Sequence, residues 1–332
     1  MPRLLIRVFL LSMAVMMAVV LAGCAQSDTR TTSSASASAP AQTVHVASLK
    51  GATTMGLVAM IDDPDSYFNA PVSFDIEGTA DAIAPQLVSG GIDIAVIPAN
   101  LAAVLYAKTG GKIQVTSISA LNVLYVVTKG VTVTSIDDFA GQTVYSMGKG
   151  TTPQAVVDTI LAAQGLLEAV DVQYLSEATE VAAKLAASET GIAILPEPYV
   201  TILTSKDKSI SVALDLGAAF RTATGSPVVT GVSVVRTDFA EAHRDLVVKF
   251  LAGSAKSAEF TNSSPVEAGQ LIAAQGITPS ADIATAAIPR SSITSITGAA
   301  AKDALAGYLE VLYASNPALV GGELPSDDFY WV

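Results

Sequence analysis

The sequence predicts an α/β protein of two doubly wound lobes joined by two crossing strands. Short runs that are apolar on both faces alternate with helical patterns, which implies parallel sheets covered on both sides. The pattern also occurs twice. Displaced by 98 residues, residues 46–105 overlay residues 144–203 without a gap, and Val46, Ser48, Thr53, Thr54, Val58, Ala80, Ala84, Leu87, Ile94, Ala95, Pro98 and Leu105 each meet an identical residue. Finally, two β-rich stretches, residues 120–130 and 227–236, stand where such lobes would be joined.

The chain opens on Arg3 and Arg7, followed by an apolar run over residues 8–20 and then Leu21-Ala22-Gly23-Cys24. A run of that length is too short to span a membrane comfortably and reads as a signal peptide. Small residues before the chain's one cysteine match a bacterial lipoprotein cleavage site, so residues 1–23 are expected to be removed and Cys24 lipidated. Residues 24–42 are mostly Ser, Ala, Thr, Gln and Pro and carry too little apolar area to offset ordering entropy. They are expected to form a flexible tether.

In each unit the same elements follow in order. "VHVASL" in the first and "TVYSM" in the second are short strands, each followed by a small polar turn, "KGATT" or "GKGTT". Thr152 followed by Pro153 marks a helix start, and Val156, Val157, Ile160 and Leu161 give that helix an apolar face. "DVQYL" is a second strand, Val181 and Leu185 mark the next helix, and "GIAIL" is a buried strand ended by Pro196, as "IDIAVI" is ended by Pro98. Pro85 falls inside the helix expected after Thr79, so it must sit near the first turn or kink it. Helices are expected over residues 240–260, 266–275 and 302–313, packing largely on the first lobe. The expected division is residues 43–122 with 232–332 in one lobe and 128–228 in the other.

Net charge is −12 over 332 residues, and −14 once Arg3 and Arg7 are removed. That argues against nucleic acid as a partner. With no cysteine after Cys24, no disulfide braces the fold. His45 and His243 are the only histidines and fall at a strand start and in a polar helical stretch, which leaves little for metal or acid–base chemistry. Asp62, Asp63 and Asp65 read as a helix-end turn around Pro64. No cofactor, metal or catalytic residue is expected.

Ligands of parallel α/β sheets bind beyond the carboxyl ends of the strands. The twin turns lie there, and so do "IPAN" (Pro98, Asn100) and "LPEP" (Glu197). Gly51, Gly148 and Gly150 let backbone approach a ligand, and a helix start offers free N–H groups. The hydroxyls of Ser48, Thr53, Thr54, Ser146, Thr151 and Thr152 and the ammonium groups of Lys50 and Lys149 complete the candidate set. The spacing is not that of a phosphate loop. The threonines favour a small anion such as a sulfonate or carboxylate. Glu197 with Tyr125 would favour a neutral or cationic heterocycle such as a pyrimidine.

The stretches "VASLKGATTMGLVAMID", "GGIDIAVIPANLAAVLY", "KIQVTSIS", "GKGTTPQAVVD", "ILPEPYVT" and "GYLEVLYASNPALVGGELPSDDFYWV" resemble substrate-binding lipoproteins of ABC importers. The group similar to this chain includes nitrate, sulfonate, taurine and thiamine-precursor binding proteins. The resemblance runs from Val44 to the C-terminus. It implies a type II periplasmic-binding-protein fold, ligand contacts from the turns at residues 50–54 and 148–152 and from Asn100 and Glu197, and a monomer. It also implies a chain held at the extracytoplasmic membrane face by its lipid, handing a small molecule to a permease and its ATPase. Two alternatives remain. One is an enzyme like the fungal thiamine-pathway relative, whose cysteine-rich motif this chain lacks. The other is a sensor subunit that presents ligand to a membrane receptor.

Overall fold

Apolar runs bounded by glycine and proline organise the chain into two sheets with helices on both faces. The structure is a computed structural model and describes residues 42–332. The signal segment, Cys24 and all but the last residue of the tether lie outside the described residues.

The first pass comprises β1 (Val44–Leu49), α1 (Ala52–Met55), α2 (Val58–Asp62), α3 (Pro64–Tyr67), β2 (Val72–Glu77), α4 (Ala80–Ser89), β3 (Ile94–Pro98), α5 (Ala99–Thr109) and β4 (Ile113–Ala120). The chain then enters the second lobe with β5 (Leu124–Lys129), β6 (Thr143–Met147), α6 (Thr152–Ala163), β7 (Asp171–Leu175), α7 (Ala178–Ala187), β8 (Gly191–Pro196), α8 (Tyr199–Lys206), β9 (Ile210–Asp215) and α9 (Leu216–Thr224). It returns with β10 (Gly231–Arg236), α10 (Thr237–Ala242), α11 (Arg244–Ser263), α12 (Pro265–Ala274), α13 (Ala281–Ala287), β11 (Ile293–Thr297) and α14 (Gly298–Ser315).

The strands form a six-stranded sheet in the order β11-β4-β10-β3-β1-β2 and a five-stranded sheet in the order β7-β6-β8-β5-β9. The repeat at 98 residues is visible in both. β2, β1 and β3 run parallel in one sheet, as β7, β6 and β8 do in the other. Beside β3 and β8 each sheet takes an antiparallel strand, β10 and β5 respectively. These two strands follow the crossings, so each lobe receives its fourth strand just as the chain arrives from the other lobe. The passages themselves are the short stretches outside the strands, residues 121–123 and 225–230.

β3, β8 and β10 are buried almost end to end, as expected for strands covered on both faces, while β2 and β7 are partly exposed edge strands. Pro85 lies well past the first turn of α4, where the helix forgoes one N–H bond. The expected helix over residues 240–260 is two helices, broken at His243, which stacks on Phe239. β9 and β11 were not anticipated from the sequence.

The tail does not keep to the first lobe. Ala301, Leu305, Tyr308, Leu309 and Leu312 of α14 belong to one continuous apolar core with Ala47, Ile97 and Ile118 of the first sheet and Val126, Ile160 and Phe220 of the second lobe. A second cluster joins Met55 and Val58 to Ala287, Ile288 and Ile293, anchoring the segment before β11 on the first lobe. No helix among the described residues is long and apolar enough to cross a membrane.

Candidate ligand-binding site

At the carboxyl ends of β1 and β6 the sequence inserts glycines with backbone angles that other residues rarely adopt. Gly51 has φ 138°, and Gly148 and Gly150 have φ near 76° (77° and 75°). Each glycine lets the chain leave its strand and turn back over the strand end into a helix. Between the turns lies a cavity of about 800 Å³, within the size range typical of small-molecule sites.

Both lobes wall it. Leu49, Lys50, Gly51, Ala52, Thr53, Pro98 and Asn100 come from the first, and Met147, Thr151, Thr152, Pro153, Pro196, Glu197, Pro198, Tyr199 and Ile202 from the second. Val123, Val228, Val229 and Thr230 of the crossings and Leu124 at the start of β5 also line it, with Gly78, Gly276, Ile277, Thr278, Pro279 and Tyr308. Most of these side chains are apolar.

Of the sequence-predicted site residues, the cavity brings together Lys50, Gly51, Thr53, Pro98, Asn100, Thr151, Thr152 and Glu197. Ser48, Thr54, Ser146, Gly148, Lys149 and Gly150 lie outside its lining. Thr54 is fully buried and its hydroxyl turns back to the strand end, donating to Leu49 O at 2.7 Å with Ser48 Oγ at 2.8 Å. Ser146 is likewise buried, and Lys149 is exposed.

The two turns are less alike than their sequences. α1 is a single turn of four residues, and Thr53 Oγ1 donates to Leu49 O. α6 runs for twelve residues with Thr151, not Thr152, at the cap position. Thr151 makes no capping bond; its hydroxyl donates to Gly148 O at 2.7 Å. Gln154 Oε1 accepts from Gly150 N at 2.7 Å, so that amide is already occupied.

Glu197 is the one carboxylate on the wall and it is not available to a cation. Its side chain is fully buried, and Arg290 Nε binds Oε1 at 2.6 Å. Thr201 donates from its N–H to Oε2 at 3.2 Å and from its hydroxyl to Oε1 at 3.0 Å. Arg290 Nη2 also reaches Thr201 Oγ1 at 2.8 Å. The Arg290 carbonyl accepts from Tyr125 OH at 3.0 Å. Burial, with Asp215 and Glu197 nearby, pushes the Tyr125 phenol up to about 12. Arg290 sits on the segment held to Met55 and Val58, so this network ties the first lobe to the second. Sequence reading paired Tyr125 with Glu197 as ligand contacts and gave Arg290 no role. No local signal connects residues 93 apart.

Two hydroxyls on the lining stand out for the opposite reason. Thr152 Oγ1 and Tyr308 OH are buried and have no hydrogen-bond partner. An unpaired buried hydroxyl costs about 1–3 kcal/mol. Tyr308 was not anticipated, because its apolar spacing on α14 reads as core.

A family model described as "Menaquinone biosynthesis" matches residues 61–288. The chain belongs to this menaquinone-biosynthesis family. No curated protein matches it by sequence. Solved structures similar to this member of the family cover most of it. One described as an ABC transporter from Parabacteroides distasonis is 25% identical, covers 87% of this chain and 99% of its own, and superposes with a TM-score of 0.76. The periplasmic aliphatic sulphonate binding protein SsuA from Escherichia coli is 15% identical, covers 87% and 92%, and has a TM-score of 0.71. The ligand-binding component of an ABC-type import system from Staphylococcus aureus, with zinc bound, is 16% identical, covers 87% and 96%, and has a TM-score of 0.65. This chain therefore has the periplasmic-binding-protein fold. Its described residues bring no three or more His, Cys, Asp or Glu together as a metal site.

Proposed function

We propose that this chain is an extracytoplasmic solute-binding protein, anchored through lipid on Cys24, that captures a small organic molecule and delivers it to the permease of an ABC importer. The carrying observation is one cavity of about 800 Å³ walled by equivalent strand ends of two lobes. On this reading residues 43–122 with 232–332 and residues 128–228 are the two jaws. Lys50, Thr53, Asn100, Thr151 and Thr152 are the polar contacts. ATP is consumed by a partner, and no reaction occurs on this chain. The names of the solved relatives, an ABC transporter and import-system binding components, support the reading.

The family description favours a second reading, an enzyme acting in the same cavity. The wall is poor in groups for it, since Glu197 is held by Arg290 and Thr201. Native mass spectrometry of protein recovered from its own cells separates the two. The binding reading expects a ligand released unchanged after prolonged incubation. Conversion of that ligand by the purified chain would establish the enzyme instead. Loss of uptake of the same ligand on deleting the chain would distinguish importer from sensor.

A further inference from the structure

The two walls of the cavity are not equivalent. Under the offset of 98 residues that relates the lobes, Lys50 falls opposite Gly148 and Asn100 opposite Pro198. The first lobe therefore carries an ammonium and an amide where the second carries neither. Parallel pairing sets Ser48 of β1 beside Val96 of β3, so Lys50 and Asn100 leave neighbouring strand ends on one side of the cavity. Thr230 is held at the same place, because its N–H donates to the Ala120 carbonyl and its own carbonyl accepts from Ala99 N.

These three side chains have polar groups to spare. Lys50 is exposed at the rim and makes no ion pair among the described residues, not even with Glu77, which stands opposite Leu49 on β2. The Asn100 amide and the Thr230 hydroxyl have no hydrogen-bond partner among the described residues, and neither is sealed from solvent. A ligand can reach them without breaking a bond of the protein.

The second lobe offers the cavity mostly apolar groups, among them Met147, Pro153 and Ile202, with the neutral hydroxyls of Thr151 and Tyr199. Its one carboxylate is held by Arg290 and Thr201. The lining thus carries one free charge, and it is positive. An organic cation would meet Lys50 and no free carboxylate. An inorganic anion would exchange its water for a largely apolar wall, which is unfavourable. An apolar body gains from the same exchange.

We propose that the cavity is polarised between its lobes and takes an amphipathic organic monoanion, its head group on Lys50, Asn100 and Thr230 and its apolar body against Met147, Tyr199 and Ile202. This rests on the reading of the cavity as a binding site, and the test separates the two.

The probes are butanesulfonate, hexanesulfonate and octanesulfonate, whose head stays ionised, with hexanamide and hexyltrimethylammonium. They are titrated by calorimetry into the wild type, Lys50→Met, Asn100→Ala, Tyr199→Phe and Ile202→Thr, and the melting temperature of each protein is measured without probe. The sulfonates should bind the wild type, tightening about fourfold for each methylene buried. Hexyltrimethylammonium should not bind. Asn100→Ala should weaken hexanesulfonate about tenfold, the loss of one hydrogen bond. Lys50→Met should weaken it only about threefold at low salt and not at all at high salt, because the ammonium is exposed. It should also narrow the gap between hexanesulfonate and hexanamide. Ile202→Thr should lessen the gain from added methylenes more than it changes the binding of butanesulfonate. Neither Lys50→Met nor Asn100→Ala should melt lower than the wild type, since neither side chain bonds within the protein. Wild-type affinity for hexanesulfonate in both of those variants overturns the proposal. So does weakening by Tyr199→Phe alone, which would set the head on the second lobe. Preference for hexyltrimethylammonium overturns it as well, while leaving the cavity a binding site. Failure of every probe to bind the wild type counts against the binding reading itself, and this proposal falls with it.

Discussion

Glu197 illustrates how a residue's neighbours decide its role. Its place after Pro196 at a strand end made it a ligand candidate, but Arg290 and Thr201 take up its oxygens. Removing one member of a buried pair leaves the other charge uncompensated. Arg290→Ala should therefore cost about 3 kcal/mol, toward the lower end for buried pairs because a third of the arginine side chain is exposed. The double variant Glu197→Gln/Arg290→Met should recover much of that loss in urea unfolding. Equal losses in both would show that the pair contributes through packing and not through charge. Tyr125 gives a pH test beside it. Its folded pKa is raised to about 12 against an ordinary value near 10. The unfolded chain then releases this proton first, so stability is intact below about pH 10 and falls as pH rises toward 12. Tyr125→Phe should flatten that part of the alkaline limb, measured as unfolding free energy against pH.

At the scale of elements, the offset of 98 residues carried most of the fold. Periodicity and breaker residues are local, and they located β1, β3, β6, β8 and the helices between them. The same logic failed where the two turns diverge. "KGATT" and "GKGTT" look equivalent, yet Gly56 closes α1 after one turn while Pro153 and an apolar face carry α6 through twelve residues. β11 was missed because a five-residue strand, half-buried at a sheet edge, has little pattern to read. Gly148 tests the turn before α6. It has φ 77°, and an added Cβ would stand 2.6 Å from Thr151 Oγ1 and 3.0 Å from Pro153. Gly141 shares the sign of φ, at 71°, but has open space around it. Gly148→Ala should thus destabilise by about 1–3 kcal/mol and by more than Gly141→Ala, read as the difference in denaturation midpoints. Equal effects would mean that the turn yields to the new methyl group.

For the whole molecule, the question is how two lobes that share a core can move. Rotation about residues 121–123 and 225–230 is expected to open and close the cavity, as in hinged binding proteins. The core through α14 is continuous, so wide separation would expose Leu305, Leu309 and Leu312 to water. Opening is therefore expected to be modest. It must also break the bonds from Arg290 to Glu197 and from Tyr125 to the Arg290 carbonyl, which span the lobes. These contacts favour the arrangement of this structure even without ligand. Ligand adds to that bias only through its contacts with both walls, because equal affinity for two states shifts neither. Arg290→Ala should then show a larger radius of gyration by small-angle scattering than the wild type when both are unliganded and fully folded by circular dichroism. Saturating hexanesulfonate should compact the variant and change the wild type little. Superimposable curves for the two unliganded proteins would show that the network holds side chains in place without holding the lobes together.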